Sequence, residues 1–175
     1  MKELKPRQIY WLMGLLIIII IGLALGNLVN LGEERELLRE RTLRLSWDGE
    51  ETDISMEEIL DLKATNIRTI MRSSSGDDTE VFFTGVPLFE VLEKAFPRLP
   101  EEEISRVIAR AIDGYTIAYQ KEEVWQEDNI YLVYAREGEW LKSQEEGGDG
   151  PFMTVVLEDD FAQRWCKYLT RVSLE

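Results

Sequence analysis

Residues 8–32 carry no charge at all, and that stretch limits the chain more than any other feature. Its centre, Trp11 to Gly26, reads WLMGLLIIIIIGLALG. A helix buried in a water-soluble core keeps a polar face, and this segment has none. As a helix, residues 8–32 would span roughly 37 Å, against a bilayer hydrocarbon core of about 30 Å. The sequence predicts a single-pass transmembrane anchor over Ile9–Leu31, between a short tail (residues 1–8) and a charged stalk (residues 32–41). A second reading stays open. Ala24 and Gly26 have the small-x-small form of a cleavage site, so the segment also fits a cleaved signal peptide. The apolar run is long for a signal peptide, which favours the anchor. No cysteine follows it, which excludes a bacterial lipoprotein signal.

Lys2, Lys5 and Arg7 precede the segment, and Arg35, Arg39, Arg41 and Arg44 follow it. Counting Lys and Arg does not settle the orientation. A short N-terminus stays behind more readily than it crosses, so the expectation is a cell-membrane protein with its domain outside the cytoplasm. The whole chain has 34 acids and 20 bases. Residues 1–32 hold one of those acids and three of the bases, leaving 33 acids and 17 bases, net −16, for the remainder. A domain this acidic repels phosphate backbones, and no nucleic-acid partner is expected.

Cys166 is the single cysteine, and there is no histidine. An intrachain disulfide, His-ligated haem, the usual zinc sites and a Ser-His-Asp triad are therefore excluded. Between Trp165 and Tyr168, Cys166 reads as a small buried apolar residue rather than a reactive thiol.

From Thr42 onward the pattern shortens. Thr42–Trp47 reads as a strand ending in an Asp48-Gly49 turn. Ser55 with Glu58 forms a capping box before a helix bearing Met56, Ile59, Leu60 and Leu62. Strands are expected over Asn66–Ser73 and Glu80–Thr84, with residues 73–78 as a loop. Pro87 opens a helix that Pro97 stops. Arg106–Ile112 and Tyr115–Gln120 form a hairpin about Asp113-Gly114. Ile130–Ala135 and Phe152–Leu157 are strands, separated by an acidic glycine-rich loop (Gln144–Gly150) that lacks the ligand spacing of a calcium loop. A short amphipathic helix over Asp160–Tyr168 and a strand over Thr170–Leu174 close the chain. Short strands with irregularly placed short helices predict an α+β fold with a mixed, largely antiparallel sheet.

Five of these segments, in order, resemble the oxidoreductase molybdopterin-binding domain family, the sulfite-oxidase-type fold. Thr84-Gly85-Val86-Pro87-Leu88 with Val91-Leu92 is similar to the family's "GVPL…LL" segment. Ala111-Ile112-Asp113-Gly114-Tyr115-Thr116 is similar to its "A.DGYS/T" hairpin. Ala135–Leu141 is similar to "A..NG.PL". Gly150-Pro151 with Phe152–Leu157 is similar to "GP.RLVVP". Arg164–Leu169 with Val172 is similar to the closing "RWVK.L..I.V". The resemblance runs from about Thr42 to the last residues and implies a small, single-domain, membrane-anchored member. It also implies a molybdenum site whose cysteine ligand lies in a "C.GN"-like loop. Here that loop is Ser74-Ser75-Gly76-Asp77, with Ser74 in the cysteine's place, while Cys166 falls in the closing motif. Serine is a poor soft ligand beside thiolate.

The candidate cofactor- or ligand-binding residues are Arg72, Ser74, Ser75, Gly76, Asp113, Tyr115, Arg164 and Lys167. No catalytic or metal-ligating residue is named. The Ser74 loop offers backbone N–H groups for an anion, with Arg68 and Arg72 near it; its plainer reading is a solvated turn. Asp113-Gly114-Tyr115 places an aspartate beside a ligand or simply makes the hairpin turn. Arg164, Trp165 and Lys167 bind an anion by charge and stacking, or else Trp165 is core and the bases are a solvated face. The expected function is a ligand-binding or accessory module without a molybdenum centre. A catalytic molybdopterin oxidoreductase and a structural ectodomain contacting a membrane protein are the alternatives. The expected partners are the membrane, through Ile9–Leu31, and a membrane protein or a small anionic ligand.

Overall fold

The computed structural model describes residues 6–72, 78–159 and 162–175; within its helices and strands, the side chains of residues 6–10, 25, 27, 28, 30 and 72 lie outside that description. The chain divides into two compact units, one ending at Arg35 and one running Glu36–Glu175.

The first unit is helical and belongs to α1 (Pro6–Glu40). Its large apolar side chains from Trp11 to Leu23 are between 50% and 76% exposed. Among the described residues, no helix is long and apolar enough to cross a membrane. The span expected over Ile9–Leu31 passes through Ile9, Tyr10, Leu25, Asn27, Leu28 and Asn30, whose side chains are outside the description.

In chain order the second unit carries β1 (Thr42–Trp47), β2 (Glu50–Ser55), α2 (Met56–Leu60), β3 (Thr65–Arg72), β4 (Asp78–Pro87), α3 (Leu88–Ala95), β5 (Arg106–Ala111), β6 (Thr116–Gln120), α4 (Lys121–Trp125), β7 (Ile130–Arg136), β8 (Glu139–Trp140), β9 (Met153–Val156) and β10 (Leu169–Leu174). The strands make two five-stranded sheets. The first has the order β2-β1-β10-β5-β6; the second runs β3-β4-β7-β8, with β9 also on β7. Only β1–β10 is parallel among the described pairs. The mixed, largely antiparallel α+β expectation therefore holds for the second unit.

Local chemistry accounts for most of these elements. Leu43 and Leu45 are buried while Arg44 and Ser46 face outward, the period-2 pattern of a half-buried strand. Asp48 and Gly49 both have positive φ, 47° and 80°, as a tight two-residue hairpin requires. The Ser55–Glu58 capping box forms as expected: the Ser55 hydroxyl accepts from the Glu58 N–H, and the Glu58 carboxylate accepts from the Ser55 N–H. Pro87 is the N-cap of α3, which buries Leu88, Val91 and Leu92. Gly85 is fixed by close approach, since a Cβ there would lie 2.3 Å from the Leu132 carbonyl oxygen and 2.7 Å from Val133 Cα.

Three elements were not expected, the two-residue strand β8 among them. β2 reads as polar because it is an edge strand that buries only Ile54. α4 is a single amphipathic turn capped by Gln120 and Glu123. One expectation fails. Over Asp160–Tyr168 there is a single 3-10 turn, Ala162–Arg164, in place of an amphipathic helix; Asp160 and Phe161 lie outside the description. Cys166 instead bridges to Thr154 as in an antiparallel sheet: its carbonyl accepts from the Thr154 N–H (3.0 Å) and its N–H donates to Thr154 Oγ1 (3.1 Å). These bonds use the backbone groups a helix would need.

Candidate functional site

The β5–β6 turn and the segment before β10 come together at one end of the first sheet. Asp113 Oδ1 accepts from the Tyr115 N–H (2.9 Å), an Asx-type turn. The Tyr115 hydroxyl reaches across and donates to the Gln163 carbonyl (2.5 Å). Ile112 N–H donates to the Tyr168 carbonyl (3.1 Å), and the Tyr119 hydroxyl to the Arg164 carbonyl (2.8 Å). The structure thus gathers Asp113, Tyr115 and Arg164, with Lys167 on the same segment.

Arg164 is held by two carboxylates. Its Nε donates to Asp159 Oδ2 (2.7 Å) and its Nη2 to Asp159 Oδ1. Its Nη1 reaches Glu123 Oε1 at 2.8 Å. The Asp159 hydrogen bonds, opposed by burial and reinforced by Glu123, hold the guanidinium further protonated than an ordinary arginine. Lys167 Nζ lies 2.8 Å from Asp149 Oδ1, and the other oxygen of that carboxylate is 3.6 Å from Arg136 Nη1. The bases expected to receive an anion therefore already have acids. Their first effect is mechanical: Arg164 ties α4 to the segment after β9, and Asp149 ties the acidic loop to β7.

No local pattern points to these partners. Glu123 lies 41 residues from Arg164, and only the fold brings them together. The remaining candidates sit elsewhere. β3 ends at Arg72, opposite Asp78 in the β3–β4 register of the second sheet. The Arg72 side chain and Ser74, Ser75 and Gly76 lie outside the described residues. Arg68 is paired with Glu80, its Nε 2.5 Å from Oε1.

Among the described residues, the single thiol is not placed as a metal ligand. Cys166 is fully buried, and burial, with the nearby Asp113 charge, pushes its thiol up to about 12. A thiol that stays protonated inside a core is no metal ligand. Among the described residues, no group of three or more His, Cys, Asp or Glu is placed to hold a metal ion. A groove of about 410 Å³ opens at the far end of the first sheet, between Asp48-Gly49 and Ser173–Glu175, away from the gathered residues.

Two antiparallel-rich sheets with short capping helices define the class: an α+β domain. It is similar to the sulfane dehydrogenase SoxCD from Paracoccus pantotrophus, with a TM-score of 0.63 at 17% identity, over 78% of this chain and 38% of that one. The chain therefore spans well under half the length of that dehydrogenase chain. No family model matches the sequence, and no curated protein matches it either. At 17% identity the similarity concerns the fold alone, and it agrees with the α+β architecture that the five motifs imply.

Proposed function

We propose that this chain is a membrane-anchored, extracytoplasmic binding or accessory domain on the sulfite-oxidase-type fold, working without a molybdenum centre. The observation that carries the reading is Cys166. It is the one thiol in the chain, and it is buried against β9, where burial pushes it up to about 12. The gathered arginine and lysine support the same reading. With Asp159, Glu123 and Asp149 already on them, they offer an anionic pterin phosphate little uncompensated charge. The loop Ser74-Ser75-Gly76, with Arg72, keeps the place of a ligand loop in this reading, and Tyr115, 44% exposed, is the aromatic surface beside the second one.

The exposed apolar side chains of Trp11–Leu23 support the anchor. Left in water, each costs about 1.5–3 kcal/mol relative to burial. A bilayer removes that cost.

The test is to purify the full chain from a host that makes the molybdenum cofactor and to examine an acid extract for oxidised pterin fluorescence. The reading predicts none above a blank. A pterin signal equimolar with protein would replace it with the catalytic reading, in which Ser74→Ala should lower cofactor retention and Cys166→Ala should not.

A further inference from the structure

We propose that the outer face of the first sheet binds a small oxyanion, a phosphate or sulfate group, between Arg110 and Arg171. These two residues are register partners on β5 and β10. A bulge between Leu169 and Arg171 sets that register. Without it, Thr170 would stand opposite Arg110. With it, Thr170 is buried and its hydroxyl donates to the Arg110 carbonyl (3.3 Å), while Arg171 stands beside Arg110 on the outer face. Bulges re-aim side chains in this way, often at functional sites.

On its other side Arg171 is the parallel partner of Arg44 on β1. Three arginines therefore share one row across three neighbouring strands. Like charges placed opposite one another destabilise a sheet. Carboxylates of β2 face two of the three. Asp53 on β2 takes Arg44, with Nε–Oδ1 2.7 Å and Nη2–Oδ2 2.9 Å. Glu51 lies 4.0 Å from Arg44 Nη1 and 3.8 Å from Arg171 Nη1. At the other end, β6 places Thr116 opposite Arg110. Arg110 is exposed and, among the described residues, has no ion-pair partner. This separates it from Arg164 and Lys167, which carry their own acids.

The chemistry of the Arg110 end selects the ligand. Two guanidinium forks side by side suit an oxyanion that can accept from both. Ser46 and Ser173, register partners one row along the same face, add hydroxyl donors. The chain's net charge of −14 opposes non-specific anion uptake, so binding here must come from local contacts and should weaken with salt. The phosphate has two sources, a free ion or a lipid headgroup.

The experiment is calorimetric titration of the full chain, purified in an uncharged detergent at fixed ionic strength. One arm uses inorganic phosphate and the other a short-chain phosphatidic acid below its micellar concentration. Arg110→Gln is compared with wild type and with Arg106→Gln, an exposed arginine at the far end of β5 that is paired with Glu175. Saturable binding of either probe is expected, weakened at least tenfold by Arg110→Gln and unchanged by Arg106→Gln. Tighter binding of the lipid names the headgroup as the source; equal or tighter binding of inorganic phosphate names the free ion. Thermal unfolding supplies a second readout. Without phosphate, Arg110→Gln should be at least as stable as wild type, because it removes a like-charge pair. With phosphate, only the wild type should gain. Absence of saturable binding in both arms, or equal binding by Arg110→Gln, overturns the proposal.

Discussion

The Tyr119 hydroxyl lies 2.7 Å from Thr154 Oγ1 in the core and joins the two sheets, Tyr119 being on β6 and Thr154 on β9. The proton directions follow from the neighbours. Tyr119 donates to the Arg164 carbonyl, so the Thr154 hydroxyl must donate to Tyr119 and accept from the Cys166 N–H. Both residues are fully buried. A buried network of this kind is stabilising only while every member is satisfied.

Tyr119→Phe should therefore destabilise the domain by about 1–3 kcal/mol, the usual cost of orphaning a buried partner. Thr154→Val should cost a similar amount. The double variant should cost clearly less than the sum, because the two share one bond. Thermal or urea unfolding of the four proteins measures this, and strict additivity would contradict the network.

Gly85→Ala places a methyl against main-chain atoms of β7 at 2.3 and 2.7 Å. Backbone cannot swing aside as a side-chain tip can. Overpacking of this kind costs about 1–3 kcal/mol or more. A substantial fall in unfolding midpoint is expected, with Gly49→Asn as a mild control at an open turn; near-wild-type stability of Gly85→Ala would be the contrary result.

Cys166 should resist alkylation in the folded protein. Burial and Asp113 push its thiol up to about 12, so at pH 8 there is almost no thiolate and no access to it. Mass spectrometry after brief maleimide treatment should show no adduct in native buffer and one adduct in denaturant. Stoichiometric native labelling would place this thiol at the surface.

Acid should weaken the first sheet through Asp53. The hydrogen bonds from Arg44, partly opposed by burial, hold its carboxyl below its ordinary value of 3.8. A carboxylate lowered on folding adds stability that is fully present above the unfolded value and is lost as pH falls through the folded one. The loss should therefore appear below about pH 4. Asp53→Asn should flatten that limb of the stability–pH curve, as followed by unfolding midpoints between pH 2.5 and 6; an unchanged limb would remove Asp53 from the account.

Legibility in the sequence divides along physical lines. β1, α3, the β5–β6 hairpin and β7 were readable because each is specified locally, by period-2 burial, a proline at the helix start, an Asp-Gly turn or an unbroken apolar run. β2 was not, since an edge strand with one buried residue carries no apolar signal. The expected helix near Arg164 was misread because Trp165 and Leu169 share helical spacing, yet the Trp165 indole N–H donates to Val156 of β9 and Leu169 begins β10. The candidate site was legible in part. The Asp113 turn and the Arg164 segment do meet, but what surrounds them was hidden. Arg164 looked available for a ligand until the fold brought Glu123 and Asp159 to it. Arg110 carried no motif, and only the β10 bulge gives it a charged neighbour.

The most direct test of the central claim is the molybdenum content of the full chain from a cofactor-producing host, measured by inductively coupled plasma mass spectrometry. With its one thiol protonated in the core, the protein should carry less than about a tenth of an equivalent, the level at which a tight soft-ligand site is effectively empty. One equivalent of molybdenum per chain would contradict the account.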